Sequence, residues 1–263
     1  MKFYKYSATG NDFVILDNRK GELEPQNIAL WQKVCRRRAG VGADGVIFVE
    51  NSREYDFKMT YLNADGAEVS MCGNGSRAAS HFCHRVLGMS DQLEFETKNG
   101  VYRSRVVDDY ASVQMSELYD QEKIDLSDFG YQKFSYLNTG VPHAVFEIED
   151  LDKIDINNLA LPVRHDKRFL EGVNVNFFEK VGAGKMKLRT FERGVEGETL
   201  SCGTGATAAA IFFNKLYGGP STVEITTPGG TLFVALEEEQ KEIWLKGEVS
   251  LVYLAESDLN FLK

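Results

Sequence analysis

ETLSCGTGATAAA, residues 198–210, sets a cysteine ahead of two glycines that bracket a threonine, and then runs into alanines. EVSMCGNGSRAAS, residues 68–80, has the same frame with a different filling. Cys72 and Cys202 lie 202 − 72 = 130 positions apart, and that shift holds without a gap from Glu68/Glu198 to Gly100/Gly230. Of those 33 pairs, 11 are identical, among them Gly73/Gly203, Gly75/Gly205, Ala78/Ala208, Phe82/Phe212 and Thr97/Thr227. The same shift aligns Thr9-Gly10 with Thr139-Gly140, Gly42 with Gly172, and Thr60-Tyr61 with Thr190-Phe191. One register kept over most of a 263-residue chain marks a duplicated unit.

Each copy reads alike. An opening β segment (FVILD, AVFEIED) leads to a helical stretch, NIALWQKVCRR in the first copy, and then to further strands (GVIFV and FKMTYLN; NVNFFEK and KMKLRTFE). A helix follows each cysteine, with Ala79, Phe82 and Val86 at helical spacing in the first copy. A hairpin closes each unit, turning at Lys98-Asn99-Gly100 and at Pro228-Gly229-Gly230. The expected fold is α+β: two pseudosymmetric domains, each a mostly antiparallel sheet wrapped around a central helix. Boundaries fall at 1–115 and 116–249, with 116–130 as a polar crossover and 250–263 returning to the first domain. A functional site is expected in the cleft between the domains.

Composition narrows the function. Hydrophobic residues make up 43% and charged residues 26% of the chain, as in ordinary globular proteins. A formal charge of −9 argues against a nucleic-acid partner, which needs clustered Lys and Arg. The one basic run, Arg36-Arg37-Arg38, reads as a solvated helix end. No stretch approaches the roughly 18 apolar residues of a membrane span, and MKFYKYSATGND carries no apolar signal core, so a cytoplasmic location is expected. Four cysteines in a chain of this length are free thiols rather than a disulfide framework. Cys35 and Cys83 read as small buried hydrophobes. His81 and His84 lack the partners that a metal site needs, so no metal is expected.

Gly-X-Gly after a cysteine lets the backbone turn tightly and leaves amides uncovered. If a helix starts there, its first N–H groups and its dipole stabilise a thiolate and seat a carboxylate. Two such starts suit one arrangement, with a substrate carboxylate between them and a sulfur on either side of the neighbouring carbon. A thiolate then takes a proton from one face while a thiol delivers one to the other, inverting the α-carbon. The amides and exclusion of water stabilise the carbanion. Neither Gly-X-Gly continues into a phosphate-binding or dinucleotide fingerprint. Pattern alone leaves a lysine Schiff base to a pyridoxal cofactor open, although no local signal asks for one.

GNDFV (10–14), NADGAEVSMCGNGSR (63–77), GVPHAV (140–145) and FERGVEGETLSCGTGA (191–206) closely resemble diaminopimelate epimerase, over essentially the whole chain. The resemblance implies a cofactor-independent enzyme that interconverts LL- and meso-diaminopimelate, in the supply of lysine and the peptidoglycan cross-link, working as a homodimer. It implies Cys72 and Cys202 as the two bases, with His143 and Glu192 near the thiols. Asn11, Asn63 and Asn174 would line the site, and Gly73, Asn74, Gly203 and Thr204 would give amides to the reacting carboxylate. Arg193, by its fork, suits the distal carboxylate. Three departures fall on the distal side: Val141 where many members have asparagine, Asp44-Gly45 where some have glutamine after the acid, and one extra residue in ERGVEGET. A proline or hydroxyproline racemase would carry CGHG at the first cysteine and needs no distal clamp. A phenazine-pathway isomerase lacks the paired cysteines. A thiol–disulfide redox protein would more often show Cys-X-X-Cys, and a binding module would need no thiols.

Overall fold

The computed structural model describes residues 1–69, 71–115, 124–237 and 242–257. The chain forms two units: Met1–Val113 together with the segment from Gly247 onward, and Gln114–Lys246.

In the first unit the order is β1 (Lys2–Ala8), β2 (Asn11–Asp17), α1 (Ile28–Cys35), β3 (Gly45–Glu50), β4 (Phe57–Asn63), the short β5 (Glu68–Val69), α2 (Gly73–Arg85), β6 (Gln92–Thr97), β7 (Gly100–Val107) and β8 (Tyr110–Met115). Neighbouring strands are antiparallel except at two places, where β3 lies parallel to β2 and β6 parallel to β4. A parallel neighbour requires a crossover, and each crossover carries a helix, α1 for the first and α2 for the second. The helices cover opposite faces, so β2 and β3 are apolar on both sides. Trp31 and Val34 of α1 pack with Val14, Leu16, Val46 and Phe48. α2 packs on β1, β2, β3, β4 and β7, and every residue from Gly73 to Cys83 is buried. Small residues dominate its first turns because strands close on it from several directions.

The second unit repeats this plan with β9 (Phe134–Asn138), β10 (Pro142–Glu147), α3 (Ile156–Arg164), β11 (Asn174–Gly182), β12 (Lys185–Glu192), β13 (Gly197–Thr199), α4 (Gly203–Tyr217), β14 (Thr222–Thr227) and β15 (Gly230–Glu237). Its parallel joints are β10/β11 and β12/β14. The last strand, β16 (Glu242–Glu256), enters the first unit at Gly247, and its residues from Val249 to Glu256 pair antiparallel with β1. Of the segment 250–263, residues 258–263 lie outside the described residues. So do residues 116–123 of the expected crossover, whose remainder includes a short 3-10 turn at Ser127–Phe129.

Strand register refines the duplication. The shift of 130 holds for the cysteines, α2/α4, β6/β14 and β7/β15. It does not hold for β11 and β12. Phe13 pairs with Gly45, whereas His143 pairs with Asn174; 143 − 13 = 130 but 174 − 45 = 129. Tyr61 pairs with Val69 as Thr190 pairs with Thr199, and 190 − 61 = 129. Thr190 therefore stands in the place of Tyr61, not of Thr60 as the uniform shift had it. The register recovers after Glu192: Asn63 and Ala67 enclose three residues, Glu192 and Gly197 four. The added residue sits in the turn that carries Arg193.

Two local expectations change. The first helix is shorter than NIALWQKVCRR, because Asn27 caps it, with Oδ1 accepting from the Leu30 amide, and the chain leaves it at Arg36. Arg37 is no idle surface charge: its guanidinium forks onto Asp12 and reaches Asp44. The sequence reading also passed over α3, whose Pro162 obscured a stretch that Asp155 caps through the Asn158 amide.

Candidate active site

In each unit the cysteine is the N-cap of the central helix. Cys72 has extended backbone angles (φ −136°, ψ 113°), and its sulfur accepts from the Gly75 amide at 3.4 Å. Cys202 is nearly the same (φ −117°, ψ 111°), but its sulfur makes no such capping bond and lies 3.5 Å from the Thr204 hydroxyl. The helical ladder begins at once in both, with Ser76 N–H donating to the Cys72 carbonyl and Ala206 N–H to that of Cys202. Gly73 and Asn74, and likewise Gly203 and Thr204, thus occupy the first helical positions, where the ladder offers backbone amides no acceptor. The positive end of the dipole lies on each sulfur. Cys72 is half-buried and Cys202 buried. Cys35 and Cys83 are buried too, and burial pushes the Cys35 thiol up to about 11.

Asn74, in the first turn of the helix that Cys72 caps, is in contact with Asn11. Asn74 Nδ2 donates to Asn11 Oδ1 at 3.4 Å, and Asn11 Nδ2 donates to Asp44 Oδ2 at 2.6 Å. Asn63 ends β4, where its amide donates to the Ala67 carbonyl. Gly45, one of the departures from the family pattern, has a steric cause. A Cβ there would meet Tyr61 Cε2 at 2.4 Å and the Leu62 carbonyl at 2.5 Å.

In the second unit hydrogen bonds link His143 through Asn176 to Asn174, and Asn174 to Arg193. Asn174 Nδ2 donates to the Pro142 carbonyl at 3.0 Å, and its Oδ1 accepts from the Arg193 backbone amide at 2.9 Å. Arg193 Nη1 donates to the Glu171 carbonyl, and Glu192 Oε2 accepts from Thr199 Oγ1 at 3.0 Å. Thr139 Oγ1 donates to the Thr204 carbonyl at 3.0 Å, tying the β9–β10 turn to the helix start. Glu192 of the second copy takes the position of Asn63 in the first.

Beneath the two helix starts the copies differ in chemistry, and the sequence reading missed this. Under α2 lie Phe13, Ile47 and Tyr61; Phe13 and Tyr61 meet edge to face at 5.8 Å, and a Cβ on Gly75 would touch Ile47 Cδ1 at 3.3 Å. Under α4 the corresponding residues are His143, Asn176 and Thr190, all buried. Asn176 Nδ2 donates to His143 Nδ1 at 3.0 Å and to the Ala144 carbonyl at 3.1 Å, while its Oδ1 accepts from Thr190 Oγ1 at 3.0 Å. With Nδ1 accepting, the ring is the neutral Nε2–H tautomer. Burial pushes His143 down to about 3, and the Arg193 charge acts in the same direction. His143 is therefore a neutral ring at working pH rather than a cation, and its buried Nε2–H has no hydrogen-bond partner among the described residues. The signal was present in NVNFF, where alternation sends Asn174 and Asn176 to one face.

The family profile of diaminopimelate epimerase matches residues 3–119 and 135–252. A diaminopimelate epimerase of Flavobacterium psychrophilum is 39% identical over 260 residues, covering 96% of this chain and 98% of the relative. That of Campylobacter lari is 40% identical over 265 residues, 99% of this chain and 100% of the relative. Among solved structures, a Bacillus anthracis phenazine biosynthesis protein of the PhzF family has a TM-score of 0.73 at 17% identity, with 98% of each chain covered. A probable proline racemase of Agrobacterium radiobacter has a TM-score of 0.67 at 15% identity, covering 98% of this chain and 93% of the other. Identities so low speak for the shared α+β fold alone. The profile, by contrast, spans both copies, and the sequence relatives match nearly their full length; the chain belongs to the diaminopimelate epimerase family.

Proposed function

We propose that this protein inverts one α-carbon of LL-diaminopimelate to give meso-diaminopimelate, and the reverse, in the synthesis of lysine and peptidoglycan precursors. The observation that carries this reading is the pair of cysteines capping matched central helices in a chain of this family. Cys72 and Cys202 are the two bases, acting on opposite faces of one α-carbon. One sulfur, as thiolate, takes the α-proton; the other, as thiol, gives its proton to the opposite face, and the two sulfurs end with their roles exchanged. Amides of Gly73, Asn74, Gly203 and Thr204 hold the reacting carboxylate and the charge that develops beside it. Asn11, Asn63 and Asn174 orient the substrate, and Arg193 with Glu192 meets the distal amino acid head. His143, its ring neutral, accepts from Asn176 and holds it in place beneath α4.

The enzyme works in the cytoplasm as a homodimer. Leu251, Val252, Tyr253 and Leu254, consecutive on β16, are all exposed, an apolar strand surface that a second copy would cover. Among the described residues no helix is long and apolar enough to cross a membrane.

Incubation with LL-diaminopimelate in deuterated water, with L-proline in parallel, tests the reading. It requires meso product carrying deuterium at the inverted carbon, and no exchange into proline. Inversion of proline but not of diaminopimelate would overturn it.

A further inference from the structure

Arg77, in the second turn of α2, is fully buried. Its Nη2 donates to Thr9 Oγ1 at 2.7 Å, while Nε and Nη1 have no hydrogen-bond partner, and none of its atoms meets a carboxylate among the described residues. Burial lowers Arg77 only to about 10, so the guanidinium is a cation at neutral pH. Native interiors rarely keep a cation without an anion. No carboxylate of the described residues supplies that anion.

The guanidinium reaches the start of the helix. Helical side chains lean toward the N-terminus, and the anchoring contacts agree. Thr9, which receives Arg77, and Asn11, which receives Asn74, flank the same β1–β2 turn. At that end of α2 sits the Cys72 sulfur, the N-cap of the helix that carries Arg77, and a negative charge there favours the Arg77 cation. The other charges around α2 are matched or silent. Lys5 pairs with Asp12, Arg37 with Asp12 and Asp44, and Lys58 with Glu50. On β7, Ser104 is buried while its neighbour Arg105 is exposed, so alternation turns Arg103 and Arg105 away from the core. Burial keeps Tyr6 and Cys83 protonated and His81 neutral.

The second copy has no such charge. The residue matching Arg77 is Thr207 (207 − 77 = 130), whose hydroxyl donates to the Gly203 carbonyl at 3.0 Å. We propose that Arg77 is the buried counter-charge of Cys72, a positioning residue that makes Cys72 the thiolate and leaves Cys202 the thiol in the resting enzyme. The Cys72 proton passes to solvent, and no electron moves. Resting enzyme is then poised for the stereoisomer whose α-hydrogen faces Cys72. After turnover of the other stereoisomer the two sulfurs must re-equilibrate. The proposal rests on the assignment of these cysteines as the acid–base pair.

The test is the pH dependence of alkylation by iodoacetamide, read by mass spectrometry on the peptides bearing Cys72 and Cys202, without substrate. In the unmodified enzyme Cys72 should react with a midpoint at least one unit below that of Cys202. Arg77→Met should raise the Cys72 midpoint by about one to two units, and Arg77→Lys should restore part of the shift. Circular dichroism shows whether each variant is folded. Equal midpoints for the two cysteines in the unmodified enzyme overturn the proposal, whether or not Arg77→Met folds. So does a folded Arg77→Met with an unmoved Cys72. Deuterium incorporation into diaminopimelate is measured separately, so loss of this proposal and loss of the epimerase reading give different results.

Discussion

Gly75 and Gly205 hold the same place in the two central helices, yet replacing each by alanine should have opposite consequences. Gly→Ala within a helix contributes up to about 1 kcal/mol of stability through propensity. At Gly205 the new Cβ would lie 2.4 Å from Asn176 Oδ1, about 1 Å inside ordinary contact. Asn176 cannot retreat freely, because its amide is pinned by His143, Ala144 and Thr190. Moving it breaks at least two buried hydrogen bonds, each worth about 1–3 kcal/mol when a partner is stranded. The net for Gly205→Ala is a loss of about 2–4 kcal/mol. At Gly75 the nearest atom is Ile47 Cδ1 at 3.3 Å, the end of an apolar side chain that yields by a small rotation. Gly75→Ala should stay within about 1 kcal/mol of the parent. Calorimetry at pH 7.5 should then show a melting temperature lowered by roughly 5–15 °C for Gly205→Ala and by no more than about 4 °C for Gly75→Ala. Adding Asn176→Ala to Gly205→Ala should cost less than the sum of the two single changes. Equal shifts for the two glycine variants, or strict additivity with Asn176→Ala, would refute the reasoning.

Three further outcomes are expected. The His143 ring takes a proton near 6.5 when unfolded but only near 3 when folded, so the unfolded state binds more protons between those values. Stability carried by His143 is complete above pH 6.5 and declines as pH falls toward 3, by at most about 1.4 kcal/mol per unit; His143→Phe, which copies the first unit, should flatten that decline in urea titrations at pH 7 and pH 5. Arg189 forks onto Glu198 with both contacts at 2.7 Å and also donates to the Leu151 and Ile154 carbonyls, so Arg189→Ala should lower unfolding free energy by about 1–3 kcal/mol. Cys72→Ser and Cys202→Ser should each reduce epimerase turnover by orders of magnitude, about 10²–10⁴-fold, while their melting temperatures stay near that of the parent.

The cysteine phrase carried the most legible information. It announced a duplication, and both cysteines do cap central helices as the Gly-X-Gly pattern required. Hairpins at Lys98-Asn99-Gly100 and Pro228-Gly229-Gly230 were legible for a similar reason, since turn chemistry is local. What escaped the sequence was whatever depended on register across strands. A single added residue after Glu192 moves Thr190 from the place of Thr60 to that of Tyr61, and a uniform shift along the chain conceals it. The polar set of His143, Asn176 and Thr190 becomes visible only once that slip is corrected, because its members come from three strands. Arg77 was hidden differently. An arginine two residues after a glycine reads as a surface group, and only the enclosing strands show that it is buried. The β9–β10 turn leaves three residues unpaired against two in the β1–β2 turn, although Thr139 to His143 is as long as Thr9 to Phe13. The difference lies in pairing, which sequence comparison cannot register.

Inversion by two bases requires two sulfurs to confront one α-carbon from opposite sides. A crystal structure of the reduced enzyme closed on diaminopimelate measures this directly. The account predicts Cys72 Sγ and Cys202 Sγ each roughly 3–4 Å from the same α-carbon, on opposite faces, with that carbon's carboxylate against both helix starts. A bound substrate with both sulfurs on one face, or with either sulfur out of reach of the carbon, would contradict it.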